Sequence, residues 1–540
     1  MSLDTSFYYR LTNKFQGPGQ SLDVHSDGSR RLKMASTANF SGQHWRLVDL
    51  GNGKYALRTE YLDDCFSLDV INDVAKDKPW LNTTGNFTGQ FWSLTPWGDG
   101  SYKLSNDFTG AGKSLNVFAQ SFELFMGTGD HSGQHWVLTP LTRISRAVVP
   151  ELDPRGNPSH NEGPSDYNMY CRPIGTLKAV MLFVDFSDAP AGSLTTQQAA
   201  DQVLGRERFP AAFVKRYAAV RLFNEQSYGK LTLDVDIKSD LGWRRMPKRS
   251  DAPEYDYYTR DPNNHRADHH RAYIEDAAKL FTPVFSSPKV IFAAYNLVYI
   301  VAPPNVHSPI SPAFNQPVTR GARTLTGEIR LAVTLGQDIY KFRYITLVHE
   351  TGHLFDLPDL YVDNDPGAVH SKVGPWDIMS DTFRAGSFLG WHRHKNGWLD
   401  AARKLYISQT TPRWDLTLSP LSGTCGTSMV VLPIDNPAKP SKVFVIELAP
   451  PILGQQTNTP RPAKGVLVYT VDATIHDLQS PVVINAKTAD SADDTYGLLR
   501  DAAYDVGDHM SWPIGGTSLA VTVNQKIGDC YNISISYSRP

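Results

Sequence analysis

At 540 residues the chain is too long for a single core and points to about three domains. Its 41% hydrophobic content and net charge of −2 describe a globular protein whose basic residues form no run, which argues against a nucleic-acid partner. No stretch approaches the length of a membrane span.

The opening residues, Met1 to Phe7, lack a basic region followed by an apolar segment, so no signal peptide is expected. As written, the chain reads as cytoplasmic. The alternative is a protein secreted by an unconventional route, or one whose leader is absent here. The four cysteines, Cys65, Cys171, Cys425 and Cys530, are too few for a disulfide scaffold, and their spacing suggests no zinc site. Cys425 and Cys530 share the C-terminal region and could pair.

Residues 1–142 carry an internal repeat. Ser21-Leu22-Asp23-Val24 recurs as Ser67-Leu68-Asp69-Val70 and as Ser114-Leu115-Asn116-Val117, a spacing near 46 residues. Each copy is followed about twenty residues later by Gly-Gln-x-Trp, ending at Trp45, Trp92 and Trp136. Three copies of short alternating strands with Gly/Asn/Asp turns call for a closed threefold β structure. The segment resembles the ricin B-chain-type β-trefoil lectins over its whole length. That resemblance implies that the three tryptophans fill the core and that glycans are bound elsewhere. Its sugar-binding candidates are Asp23 with Asn39 in the first repeat, and Asp69 with Trp80 and Asn86 in the second. The third repeat has Asn116 in place of Asp, and Asp130 where the others have Asn, and is expected to be degenerate. The alternative for all three is a set of turn residues in a purely structural trefoil.

Residues 143–168, interrupted by Pro150, Pro154, Gly156, Pro158, Gly163 and Pro164, read as a linker. A domain over 169–400 follows. Leu177 to Phe186 is a continuous apolar run fit for a central strand, a helix is expected around Ala211–Glu225, and Leu231, Leu233 and Val235 alternate as a half-buried strand. A helix from His265 to Phe281 gathers His265, His269 and His270, which are expected to form a solvated face and not a second metal site. Val290–Val301 is a further apolar strand.

The chemistry is concentrated in Thr346-Leu347-Val348-His349-Glu350-Thr351-Gly352-His353. Two histidines four residues apart on a helix face the same side and can reach one metal, with Glu350 placed as a base. With the following Asp356-Leu357-Pro358-Asp359-Leu360-Tyr361 and Gly374-Pro375-Trp376-Asp377-Ile378-Met379-Ser380, the chain resembles the immune inhibitor A-type metallopeptidases. These are a metzincin-like group with the pattern His-Glu-x-x-His-x-x-Gly-x-x-Asp or His and a methionine turn. The resemblance continues in Asp185-Phe186-Ser187-Asp188, Phe388–His392 and Asn396–Leu399. It implies an α+β zinc metallopeptidase domain with one catalytic Zn2+ held by His349, His353 and Asp359, Glu350 as general base, and Met379 beneath the metal. Asp356 stands where the pattern has glycine, which leaves Asp356 and Asp363 as alternatives for the third ligand. Tyr361 is a candidate second donor to the oxyanion. His392 and His394 either border the cleft or lie on the surface. Cys171 is either a thiol for the fourth zinc position or a buried structural cysteine. The acidic loop Asp363-Asn364-Asp365 either holds a structural Ca2+ or is a solvated turn.

From residue 401 to 540 the pattern changes to short strands at Ser428–Pro433, Lys442–Leu448, Gly465–Val471 and Ser518–Val523, expected to form an all-β sandwich or jelly-roll-like module. The expected protein is a zinc endopeptidase directed by its trefoil to a protein or glycoprotein substrate. The alternative is a defence or storage lectin with a degenerate protease domain.

Overall fold

The computed structural model describes residues 3–70, 77–143, 148–157, 160–206, 217–259, 265–282, 290–316, 321–363, 369–449, 465–486, 499 and 502–540. The N-terminal part is a closed six-stranded barrel built from Phe7–Asn13, Trp45–Gly51, Lys54–Thr59, Trp92–Pro96, Tyr102–Asn106 and Trp136–Arg143. Three hairpins accompany it: Gln20–Val24 with Leu32–Ser36, Phe66–Val70 with Pro79–Thr83, and Ser114–Val117 with Leu124–Gly127. This is the β-trefoil expected from the repeats.

The two repeated sequence elements hold each other. Trp45, Trp92 and Trp136 are fully buried, and their indoles donate to the Leu22, Leu68 and Leu115 carbonyls at 2.9, 2.7 and 2.8 Å. Gln43 and Gln90 donate to Asp23 and Asp69, both at 3.1 Å, whereas Gln134 donates to Ser114. A β-carbon on Gly42, Gly89 or Gly133 would collide with Oδ1 of Asp23, Asp69 or Asn116, so only glycine fits before each glutamine.

The middle part is organised around Gly175–Asp185. It pairs in parallel with Leu231–Ile237 on one side and Leu297–Val301 on the other, and Leu331–Leu335 continues the parallel sheet. Ala313–Asn315 closes that end as an antiparallel edge. Ala179, Met181 and Phe183 pack with the helices Thr196–Val203, Ala218–Gln226 and Tyr344–His353, while Val180, Leu182 and Val184 pack with Arg266–Leu280. A strand covered on both faces is apolar throughout, as its sequence shows. The expected α+β arrangement is thus corrected to a largely parallel sheet between helical layers, because its strands are joined by crossovers that place helices on both faces. Of the helix expected around Ala211–Glu225, the part from Ala218 is present, and residues 207–216 lie outside the described residues. His270 corrects the expected solvated face: it is buried, 2.8 Å from Thr334 Oγ1, and stacked on Tyr257.

The C-terminal part is the expected sandwich. A five-stranded sheet (Lys404–Tyr406, Met429–Pro433, Lys442–Leu448, Val466–Asp472, Val482–Ile484) packs on a four-stranded sheet (Thr411–Leu418, Cys530–Ser538, Thr517–Ile527, His509–Ile514). Its other face, with Val431, Val443, Val445 and Leu467, belongs to the same core as the Tyr344–His353 helix. The segment read as a linker is also part of that core where it is described. Val149 and Leu152 are buried in it, and Glu162 is enclosed between Trp391 and His392. Its described residues form a strap packed on that core in place of a free tether. None of the helices among the described residues is long and apolar enough to cross a membrane.

Candidate metal centre

Tyr344–His353 carries His349 and His353 one turn apart on its inner face. The chain then reverses. Asp356 has φ +70°, and the Leu357 amide reaches back to the Gly352 carbonyl at 3.1 Å, closing the helix on a left-handed residue. A left-handed conformation, which favours glycine, is therefore adopted here by Asp, which tolerates it better than most residues. This reversal returns Asp359 to the histidines. Asp359 Oδ1 lies 3.1 Å from His349 Nε2 and 3.3 Å from His353 Nε2. The ligand atoms of His349, Glu350 and His353 also lie within 4.8 Å of one another, but Asp359 is the nearer partner of both imidazoles.

The opposite ring nitrogens face carbonyl oxygens: His349 Nδ1 donates to Ile378 at 2.9 Å and His353 Nδ1 to Leu357 at 2.8 Å. Since a carbonyl only accepts, the neutral form of each imidazole carries its lone pair on Nε2, facing inward, the arrangement that metal-binding histidines use, and the protonated form donates from Nε2 to Asp359 instead. Tetrahedral zinc with bonds near 2.0–2.2 Å separates its ligand atoms by about 3.3–3.6 Å, so two imidazoles and one carboxylate at 3.1 and 3.3 Å come within about 0.2 Å of the spacing that ion needs. Burial opposes its charge, yet the two imidazoles hold the Asp359 carboxyl well below the usual carboxylate range. Burial, reinforced by Asp338 and Asp359, pushes the Glu350 carboxyl up to about 8.

Met379 is fully buried beneath this set; a β-carbon on Gly352 would come within 2.6 Å of its sulfur. The turn is fixed by Asp377, which accepts from the Met379 and Leu389 amides, both at 2.7 Å. A cavity of about 480 Å³ opens over Glu350, bordered by Tyr361, by the edge-strand residues Ala313 and Asn315, and by Asp477 from the C-terminal part. His160, from the strap, lines it too and lies 3.1 Å from Asn315. Nothing in the sequence around His160 marked it.

Other expected positions fall elsewhere. Asp356 faces Ser165 and Tyr170, and burial pushes its carboxyl up to about 6. Asp363 does not line the cavity and is tied by its amide to Leu478. Asn364 and Asp365, the rest of the calcium-type loop, lie outside the described residues. Cys171 lines a separate cleft with Arg330, away from the imidazoles. His394 contacts Lys404.

His392 corrects the expectation of a cleft or surface residue. It is wholly buried between Glu162, 3.0 Å from Nε2, and Asp377, 2.9 Å from Nδ1. Burial disfavours its charge, but the two carboxylates push the imidazole up to about 10. A group with a raised folded pKa gives stability that is complete below its ordinary value, near 6.5, and is lost as pH rises through the folded value, near 10. Thermal unfolding followed from pH 6 to 10 is therefore expected to move to lower temperature as pH rises, and His392→Gln is expected to flatten that slope. Equal slopes in both proteins would refute the charged triad.

In the trefoil, Asp23 and Asn39 line one cavity of about 680 Å³ together with Lys33, Phe40 and Tyr61. Trp414 and Asp415 of the sandwich complete its wall, a contribution invisible in the repeat itself. The second-repeat set is not assembled in this way. Asp69 and Trp80 pair across their hairpin, but Asp69, buried like Asp23, accepts from Asn82 as well as Gln90, at 3.1 Å each, and lines neither this cavity nor the one at Trp80. Trp80 lines a different cavity beneath Arg30, whose guanidinium lies 5.5 Å from its ring, and exposed Asn86 lines neither. In the third repeat Asn116 accepts from the Val117 amide and Asp130 pairs with His135.

No protein-family model and no curated protein matches this chain. Several solved structures do. One is a designed threefold-symmetric protein, ThreeFoil, at 29% identity, covering 25% of this chain and 99% of that chain with a TM-score of 0.22. The Polyporus squamosus lectin bound to the epitope Neu5Acα2-6Galβ1-4GlcNAc is 14% identical, covering 26% of this chain and 51% of that chain with a TM-score of 0.23. The BEL β-trefoil is 12% identical, covering 26% of this chain and 97% of that chain with a TM-score of 0.22.

Proposed function

We propose that the chain is a zinc-dependent endopeptidase carrying a glycan-binding trefoil. The observation that carries the reading is the convergence of His349 Nε2 and His353 Nε2 on Asp359 Oδ1 at 3.1 and 3.3 Å beside Glu350. Bound zinc supplies a Lewis acid that activates water and polarises a carbonyl. The chain's own residues supply the rest. Ile378 and Leu357 orient the imidazoles, and Glu350 accepts the proton of the attacking water and returns it to the leaving amine. Tyr361, on the cavity wall, is the donor assigned to the carbonyl oxygen. Ala313–Asn315 is a sheet edge beside Glu350, and an extended peptide laid along such an edge gains main-chain hydrogen bonds. That favours a peptide over a small ester as substrate.

The test is zinc content measured together with casein cleavage. About one zinc per chain with cleavage supports the reading. No zinc and no cleavage leaves the alternative, a lectin with a degenerate protease domain.

Glycan binding is assigned to the first repeat, where carboxylate, amide and aromatic side chains share one cavity. A carboxylate and an amide bond hydroxyls while an aromatic face covers the apolar side of a sugar ring. On a glycan array, Asp23→Ala is expected to abolish binding and Asp69→Ala to preserve it. Trp414→Ala is expected to weaken binding about tenfold, the scale of one lost aromatic contact. Loss of binding in Asp69→Ala alone would move the site to the second repeat.

A further inference from the structure

Three of the four cysteines, far apart in sequence, meet where the trefoil joins the sandwich. Cys65 closes the short turn Asp63–Cys65 of the second trefoil repeat, and Cys530 opens the strand Cys530–Ser538. Cys425 lies in the loop between the strands Thr411–Leu418 and Met429–Pro433. The sulfur of Cys65 is 3.1 Å from that of Cys530 and 3.9 Å from that of Cys425. Cys65 and Cys530 are buried in the trefoil core beside Phe66 and Ile527, while Cys425 is partly exposed.

A structural zinc site is not what this trio builds. Zinc–sulfur bonds near 2.3 Å hold thiolates about 3.8 Å apart and call for a fourth ligand, whereas the Cys65–Cys530 separation is shorter and the next polar neighbour of Cys65 is the Ser419 hydroxyl at 2.7 Å. Two sulfurs 3.1 Å apart need to close by about 1 Å to reach a disulfide bond. The surroundings are already held in register: Thr427 donates to Asp63 Oδ2 through its amide and hydroxyl at 2.7 and 2.6 Å, and Thr417 Oγ1 donates to the Tyr61 carbonyl at 2.6 Å.

We propose that Cys65 and Cys530 are a disulfide-forming site that locks the trefoil onto the sandwich, with Cys425 as the thiol through which oxidising equivalents enter. The oxidant is a low-molecular-weight disulfide such as oxidised glutathione. The Cys425 thiolate attacks it, forming a mixed disulfide and releasing one small thiol. Cys65 then attacks the Cys425 sulfur, expelling the second small thiol and leaving a Cys65–Cys425 bond. Cys530 attacks the Cys65 sulfur and expels Cys425 as a thiol. Two protein thiols are oxidised, one small disulfide is reduced to two thiols, and the two protons leave with them. This differs from the pair suggested by sequence alone, because Cys530 and Cys425 each approach Cys65. The proposal is independent of the protease and glycan assignments.

The test uses the full chain, incubated with oxidised glutathione, alkylated, digested without reductant and mapped by mass spectrometry. The expected result is a Cys65–Cys530 cross-linked peptide, with Cys171 and Cys425 alkylated and the cross-link abolished by prior reduction. Cys425→Ser is expected to slow its formation at least tenfold, and Cys530→Ser to accumulate the Cys65–Cys425 bond. Alkylation of all four cysteines after oxidation, or a Cys425–Cys530 cross-link as the final product, would overturn it. Circular dichroism of each variant establishes that it is folded, and a wild-type map without the cross-link overturns the proposal whatever the variants do.

Discussion

Replacing Glu350 by glutamine is expected to leave zinc content unchanged and to lower casein cleavage by about a hundred- to ten-thousandfold, the range that one general base contributes. The substitution keeps the size and planarity of the side chain and touches neither imidazole, whose orientation depends on Ile378 and Leu357. The amide can still hydrogen-bond a water but cannot take its proton. Zinc analysis beside the rate separates the two ways in which activity could fall. Loss of zinc in Glu350→Gln would mean that the carboxylate acts as a ligand, and an unchanged rate would remove it from the chemistry.

The largest stability effect is expected from Glu162→Ala. Glu162 is enclosed by Trp391 Nε1 and His392 Nε2, each at 3.0 Å, with Lys395 Nζ at 4.0 Å. Burial opposes its ionisation, but His392 and Lys395 hold its carboxyl below the usual range. Removing one partner of such a buried set strands the others, at a cost of about 3–5 kcal/mol. The same cut would loosen the strap that carries His160 to the cavity. Thermal unfolding should shift downward by roughly four to six degrees for a cooperative unit of about four hundred residues, and the trefoil hairpins, distant from Glu162, should keep glycan binding. A shift of a degree or less would show that the triad contributes specificity without stability.

The parts legible in sequence were those whose constraint is local or repeated. The trefoil shows because the same contact, a tryptophan indole to a leucine carbonyl, is made three times and leaves three copies of the same residues. His349, Glu350 and His353 show because one helical turn fixes their relation. Asp359 depended on the reversal at Asp356, whose left-handed conformation the residue type did not announce. Other features were illegible because their partners are remote. Glu162 sits among prolines and glycines that look like a tether, and the histidine that justifies its burial lies 230 residues further on. Trp414 reaches the first-repeat cavity from another domain. The parallel order of the central sheet depends on which strands pair across long crossovers, and strand composition alone is silent on that. His270 looked like part of a polar cluster because its acceptor, Thr334, belongs to a strand 64 residues away.

The five-stranded sheet covered on both faces sets where this protein can be divided. A fragment ending near residue 400 would lose Val431, Val443, Val445 and Leu467 from the layer behind the Tyr344–His353 helix and would present a raw apolar surface to water. Such a fragment is a candidate for aggregation and not for crystallisation. The trefoil is a different matter, since its core is its own apart from Ile527, Cys425 and Cys530. It is the part that could be exchanged for another domain with the least damage to its own core, while the remaining four hundred or so residues hold together as one unit.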